Sequence, residues 1–312
     1  MKMLLDVDTG IDDGMAIAYA VGSQDVELIG IVGSYGNIET RGGVKNALNL
    51  LNLLGEDNIP VYVGAEHALN KPAFERLAVS ARIHGDNGVG NISFEHPSIQ
   101  KALDNGIDFI IQSVKTYGKE LTIVTTGPLT NLAAALKKAP EIEKMIGKVV
   151  IMGGAITVPG NIRKIAEANI SQDPEAAKYV FESSVSITMV GLDVTMRSIL
   201  TKNDTMLWRQ NGTVGTAYAD MVDYYIDHVN AKDGCYLHDP SAIAAAIHPE
   251  WFTMLPMHVT VITEEGLRGR TICDPDRMRN CNPNVQVCLN VDSKQVLHHF
   301  NDVLNTVFNT AN

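Results

Sequence analysis

Cysteine is scarce in this sequence: 312 residues contain only Cys235, Cys273, Cys281 and Cys288, with no Cys-x-x-Cys spacing among them. That argues against a zinc site and reads as free thiols in a reducing compartment, so a cytoplasmic protein is expected. Basic charge is short too, with 25 lysines and arginines against 36 acids and a formal net charge of −11. Such a chain repels a phosphate backbone, so neither nucleic acid nor an anionic membrane is expected as a partner. Long apolar runs are missing, and no window approaches a membrane span. Met1 to Leu5 has one lysine and too few apolar residues before Asp6 for a signal peptide. Linker-like stretches and internal repeats are absent as well. With 45% hydrophobic content, enough for a large core, the chain reads as one domain, 1–312.

What is present alternates. Apolar, β-branched runs at Met3–Val7, Glu27–Gly33, Pro60–Gly64, Glu120–Thr125, Lys148–Met152 and Ser186–Gly191 read as strands. Segments of helical period lie between them at Asp12–Val21, Arg41–Leu54, Asp108–Tyr117, Leu129–Lys138 and Pro174–Phe181. This pattern predicts an α/β fold with a doubly wound, mostly parallel sheet flanked by helices. The last third differs: Asp204–Val229, Pro240–Ile247 and Asp292–Phe308 read as helices, His258–Thr263 and Val285–Val291 as strands, together an appended α+β region. Functional residues belong just after the strands, where open sheets bind ligands.

Asp6-Val7-Asp8-Thr9-Gly10-Ile11-Asp12-Asp13 follows the first run and crowds four carboxylates into a strand-to-helix turn. Like charges so close raise one another's pKa unless a cation or hydrogen-bond donors sit among them, and all-oxygen ligands favour calcium or magnesium. Asp12 and Asp13 could merely complement the positive end of the following helix, but that accounts for two acids only. An EF-hand loop counted from Asp6 would need Glu where Ile17 stands. A haloacid-dehalogenase phosphatase also opens with Asp-x-Asp after a strand, and Asp6 would then be a phosphoryl-accepting nucleophile.

The acidic turn resembles the opening signature of the inosine-uridine-preferring nucleoside hydrolase family. Similar segments follow in order: Gly36-Asn37, Ile83-His84-Gly85, Thr126 to Ala133, Met152-Gly153-Gly154, Ala166-Glu167-Ala168-Asn169 running into Asp173-Pro174-Glu175-Ala176-Ala177, Gly191 to Thr195, and His238-Asp239-Pro240. The resemblance implies hydrolysis of the N-glycosidic bond of ribonucleosides, with a calcium ion held by Asp8, Asp13, Asp239 and the carbonyl of Thr126. It implies that Asp8 is the general base for the attacking water. Asp6 would stand behind this shell, and Asp12 would accept hydrogen bonds from the ribose. Asn161, Glu167, Asn169 and Met152 would grip the sugar, with Asn37 nearby. His238 would protonate the leaving base, a task its ordinary titration near neutrality suits. His84 would line the base pocket, with Tyr224 or Tyr225. A homodimer or homotetramer is the family expectation.

Two departures bear on the base. Glu167-Ala168-Asn169 has alanine where the family commonly places an aromatic, so that side of the pocket is expected to be roomier. Val229 to Leu237 is poor in aromatics, with Tyr236 as the candidate substitute. Asp193 reads equally as a site residue or a turn residue. His298, His299, Trp208 and Trp251 read as structural. A non-catalytic nucleoside or sugar sensor is the alternative outside enzymes, and the presence of both Asp8 and His238 argues against it.

Overall fold

The computed structural model describes residues 1–94, 101–229, 231, 234–273 and 283–311. Its twelve strands among those residues are β1 (Lys2–Val7), β2 (Glu27–Gly33), β3 (Val61–Val63), β4 (Leu121–Thr125), β5 (Lys148–Met152), β6 (Ile187–Val190), β7 (Ile199–Leu200), β8 (Cys235–Tyr236), β9 (Phe252–Met257), β10 (Val259–Val261), β11 (Thr271–Cys273) and β12 (Val285–Val291). The helices are α1 (Ile11–Gly22), α2 (Thr40–Leu53), α3 (Ala78–His84), α4 (Gly106–Tyr117), α5 (Thr130–Lys138), α6 (Ala168–Gln172), α7 (Pro174–Glu182), α8 (Leu192–Thr195), α9 (Lys202–Trp208), α10 (Gly212–His228), α11 (His238–Ile247) and α12 (Ser293–Thr310).

Eight strands make the central sheet, in the order β3-β2-β1-β4-β5-β6-β12-β9. The pairings from β3 to β12 are parallel, and β9 alone runs antiparallel, along β12. Parallel strands joined by crossover helices must bury both faces. In β1, Met3, Leu5 and Val7 enter the core shared with α1, α2, α10, α11 and α12, whereas Leu4 faces the core under α4, α5 and α7. The alternation places Asp6, fully buried, on the same side as Leu4. A buried aliphatic side chain contributes about 1.5–3 kcal/mol, and these two layers hold the strand ends rigid. From β1 the chain winds outward to β3, then returns to β4 on β1's other side, so the sheet's switch point lies between the ends of β1 and β4.

The C-terminal third departs in detail from its sequence pattern. Its strand Val285–Val291 extends the main sheet, because β12 pairs with β6. The stretch Asp204–Val229 is two helices, broken before Gly212, whose φ of +68° suits glycine. The strand within His258–Thr263 pairs, among the described residues, with β11 alone, in a separate ribbon. Strand β9 has no clear apolar alternation and carries Pro256, tolerable because this is an edge. Trp208 is fully buried in the core, with its indole N–H on Asn301 Oδ1 at 2.9 Å, as a structural residue should be.

Candidate active site

Everything in the acidic turn sits at the switch point. Asp6 is the last but one residue of β1, Asp8 follows the strand, and Asp12 and Asp13 occupy the first turn of α1, where the helix dipole favours anions. Gly10 caps that helix where no side chain fits: a Cβ there would lie 2.7 Å from both Asn37 Nδ2 and His84 Nδ1. Asp13 accepts the Gly10 N–H at 2.8 Å and the Thr126 hydroxyl at 2.6 Å. Asn37, from the turn after β2, donates its backbone N–H to Asp8 Oδ2 at 2.8 Å and its amide to Asp8 Oδ1 at 3.2 Å and Asp13 Oδ2 at 3.3 Å. Asp239 enters from the first turn of α11, and carboxylate oxygens of Asp12, Asp13 and Asp239 lie within 4.8 Å of one another.

This is a costly arrangement without a cation. Burial, then neighbouring carboxylates, raises Asp8 and Asp239 well above the usual range. Burial and Asp13 push Asp12 to about 7. Asp6 also reaches about 7 through burial, although Asn131 Nδ2 donates to its Oδ1 at 2.7 Å. Asp6 Oδ2 and Asp12 Oδ1 are buried without a hydrogen-bond partner. Among the described residues no lysine or arginine pairs with the cluster, and His84, whose Nδ1 lies 3.9 Å from Asp12, is held neutral by its burial. Orphaned hard oxygens without a counter-charge suit a divalent metal ion. The site therefore contains an aspartate-rich centre able to hold one.

Above the cluster opens a cavity of about 270 Å³, walled in part by Asp12, Asn37, His84, Thr126, Met152, Asn161, Glu167, Asn169, His238 and Asp239. Asp8 and Asp13 touch this floor through Asn37 and Thr126 but do not line it. Asn169 Nδ2 reaches the Thr126 carbonyl at 2.6 Å and the Met152 carbonyl at 3.1 Å, joining the ends of β4 and β5. Glu167 caps α6: its carboxylate accepts the N–H groups of Asn169, Ile170 and Gly154 at 2.9, 3.1 and 3.0 Å. Asn161 Oδ1 accepts the Ala168 N–H at 3.0 Å. Ala168 lines the cavity, so a small side chain stands there.

His84 is buried and His238 half-buried, and both are neutral. Burial lowers His238 to about 4 and His84 to about 3, which corrects the expectation that His238 titrates near neutrality. His238 Nδ1 lies 2.8 Å from Thr195 Oγ1. His84 Nδ1 accepts the Ile11 N–H at 3.1 Å, so its own proton is on Nε2. Its ring stacks on Tyr225 at 5.3 Å between centroids. Tyr225 lines the cavity and Tyr224 does not, which decides between the two tyrosines. Tyr236 also lines the cavity, edge-on to His238, although part of the stretch from Val229 to Leu237 lies outside the described residues. Asp193 takes the turn role, accepting the backbone N–H groups of Ile156 and Thr157 at 3.0 and 2.7 Å. Asn131 and Thr195 were missed as supports of the site, although both lie in segments that carry the family resemblance.

Residues 3–298 match the family model described as inosine-uridine preferring nucleoside hydrolase. A probable uridine nucleosidase of Arabidopsis thaliana is 36% identical over 95% of each chain. A pyrimidine-specific ribonucleoside hydrolase of Citrobacter koseri is 35% identical over 94% of each. The solved structure of a purine-preferring ribonucleoside hydrolase from Gardnerella vaginalis is 48% identical, covers 99% of this chain and 100% of its own, and superposes with a TM-score of 0.97. Agreement over nearly the whole length, with an acidic floor beneath a nucleoside-sized cavity, places this chain in the inosine-uridine preferring nucleoside hydrolase family, enzymes that hydrolyse the N-glycosidic bond of ribonucleosides.

Proposed function

We propose that Asp8 is the general base of this hydrolysis and that calcium is the resident ion, held by Asp8, Asp13, Asp239 and the Thr126 carbonyl. The observation that carries this reading is the crowding of buried carboxylates: oxygens of Asp12, Asp13 and Asp239 lie within 4.8 Å of one another, and burial with these neighbours raises Asp8 and Asp239 well above the usual range, a cost a divalent cation would relieve. Bound there, the ion would acidify a water and grip neighbouring sugar hydroxyls. Asn37 fixes the Asp8 carboxylate by both oxygens and leaves lone pairs free to take a proton from the attacking water. Asp12, which lines the cavity, would accept a ribose hydroxyl, with Asn161, Glu167, Asn169 and Met152 completing the sugar's surroundings. Carboxylates around the ring stabilise the positive charge of an oxocarbenium-like transition state. Ribose keeps the water's oxygen and the departing base leaves with a proton.

His238 is our candidate for assisting that departure. With Nδ1 accepting from the Thr195 hydroxyl, it would carry its proton on Nε2 and present that N–H to the leaving nitrogen as a hydrogen-bond donor, the base taking up its own proton from water. His84, its proton fixed on Nε2, is a second donor in the base pocket. Purine ribonucleosides are the proposed preference, since the relative described as purine-preferring is the more similar at 48% identity and Ala168 leaves room for a bicyclic base. We also read the chain as one domain, supported by a sheet that takes strands from both ends of the sequence. A cytoplasmic homodimer or homotetramer is the proposed setting; among the described residues no helix is long and apolar enough to cross a membrane.

The test is ribose release from inosine, adenosine, guanosine, uridine and cytidine, followed by a reducing-sugar assay with and without a chelator. Chelator-sensitive release, fastest from purines and restored by calcium, is the expected result. Full activity in the chelator would overturn the metal assignment, and faster pyrimidine turnover the base preference.

A further inference from the structure

Arg76 lies in the segment between β3 and α3, half-buried and outside the cavity wall. Its guanidinium makes three hydrogen bonds, and all end on main-chain oxygens. Nε donates to Asn37 O at 2.6 Å, Nη2 to Gly85 O at 2.7 Å and Nη1 to Asp86 O at 2.9 Å. No carboxylate lies within ion-pair distance among the described residues, so the planar fork rather than a salt bridge defines its role. Its acceptors belong to two turns far apart in sequence, one at Asn37 itself and the other at the residues directly after His84. Asn37 orients Asp8 through two hydrogen bonds. Gly85 directly follows His84, whose imidazole accepts the N–H of Ile11 at the head of α1.

We infer that Arg76 is a positioning residue for the hydrolysis, fastening the turn behind His84 against the turn that orients Asp8. The inference rests on the role proposed above for Asp8. Asn46 separately ties the turn after His84 to the acidic turn, through Asn87 O at 2.8 Å and Thr9 O at 3.4 Å, so losing Arg76 loosens the turn behind His84 without releasing it. Lysine cannot replace the fork, because one ammonium cannot span three carbonyls on two segments. Misplacing a reacting group by a fraction of an ångström to one ångström costs up to about 100-fold in rate.

The experiment compares the full-length wild type with Arg76→Ala, Arg76→Lys and Asp8→Ala. It measures kcat and KM on inosine, the thermal unfolding temperature, and kcat with millimolar guanidinium added. Expected are wild-type unfolding temperatures, kcat reduced about 10–100-fold in both Arg76 variants, and partial recovery of Arg76→Ala by guanidinium. The inference is overturned if both variants keep wild-type kcat, if Lys alone restores it, if the loss follows the unfolded fraction, or if guanidinium restores nothing. An inactive Asp8→Ala beside an unaffected Arg76→Ala removes the clamp alone. A fully active Asp8→Ala removes the base assignment on which it stands.

Discussion

Replacing Asp6 by Asn in the metal-free enzyme should change how its stability depends on pH, and the size follows from burial. Asp6 is fully buried, one carboxylate oxygen has no partner, and its pKa rises from 3.8 to about 7. A carboxyl whose folded pKa is raised favours the folded state when protonated. Its contribution is therefore complete below the unfolded value near 4 and is lost as pH rises through about 7. The whole span corresponds to on the order of 4 kcal/mol, and the part between pH 8 and pH 6 to about 1.4 kcal/mol. Asp12, also raised to about 7, adds in the same direction. His84 and His238 oppose it: their lowered folded values favour the neutral form, and that contribution is lost as pH falls below the unfolded value of 6.5. Subtracting the variant from the wild type cancels those other groups. Urea unfolding of both proteins in chelator at pH 8, 7 and 6 should show the wild type gaining about 1.4 kcal/mol over the variant as pH falls. A difference that stays flat would refute the idea that Asp6 is ionised at a cost in the empty site. Saturating calcium at pH 8 should raise wild-type stability in the same assay, since a ligand specific to the folded state stabilises it by mass action.

Asp8→Ala should lower kcat by at least about 100-fold, the lower range for losing a general base, while circular dichroism stays that of the wild type; an undiminished rate would remove Asp8 as base. His238→Ala should slow inosine far more than p-nitrophenyl riboside, whose leaving group needs no assistance, and equal losses on both would exclude His238 from the departure step. Ala168→Phe should narrow the cavity and raise KM for purine nucleosides more than for uridine, measured by initial rates; unchanged KM values would place the base elsewhere.

The framework was legible because parallel strands leave a strong trace. Runs such as Met3–Val7 and Lys148–Met152 must be apolar on both faces, and the helices between them repeat every three or four residues. Short or edge elements leave little: β9 alternates poorly, α6 and α8 are too brief for a period to register, and the break at Gly212 sits inside a stretch that reads as continuous. The acidic turn was legible as a site because four carboxylates in one loop have no purely structural explanation. Its supports were less so, since Asn131, Thr195 and Arg76 are ordinary polar residues until the fold carries them to their partners.

By itself, then, the sequence determined the fold class and marked the acidic turn after β1 as the candidate site, because periodicity and local charge density are written residue by residue. Only the tertiary structure decided which oxygens are left without partners, which tyrosine lines the cavity and that both histidines are neutral. It also decided that Glu167 caps a helix and that Asp8 is held by Asn37 while Asp12 and Asp239 reach the cavity wall. Those outcomes depend on burial and on distances between segments as far apart as Asp13 and Thr126 or Thr195 and His238. Desolvation and hydrogen-bond geometry arise only when such segments meet.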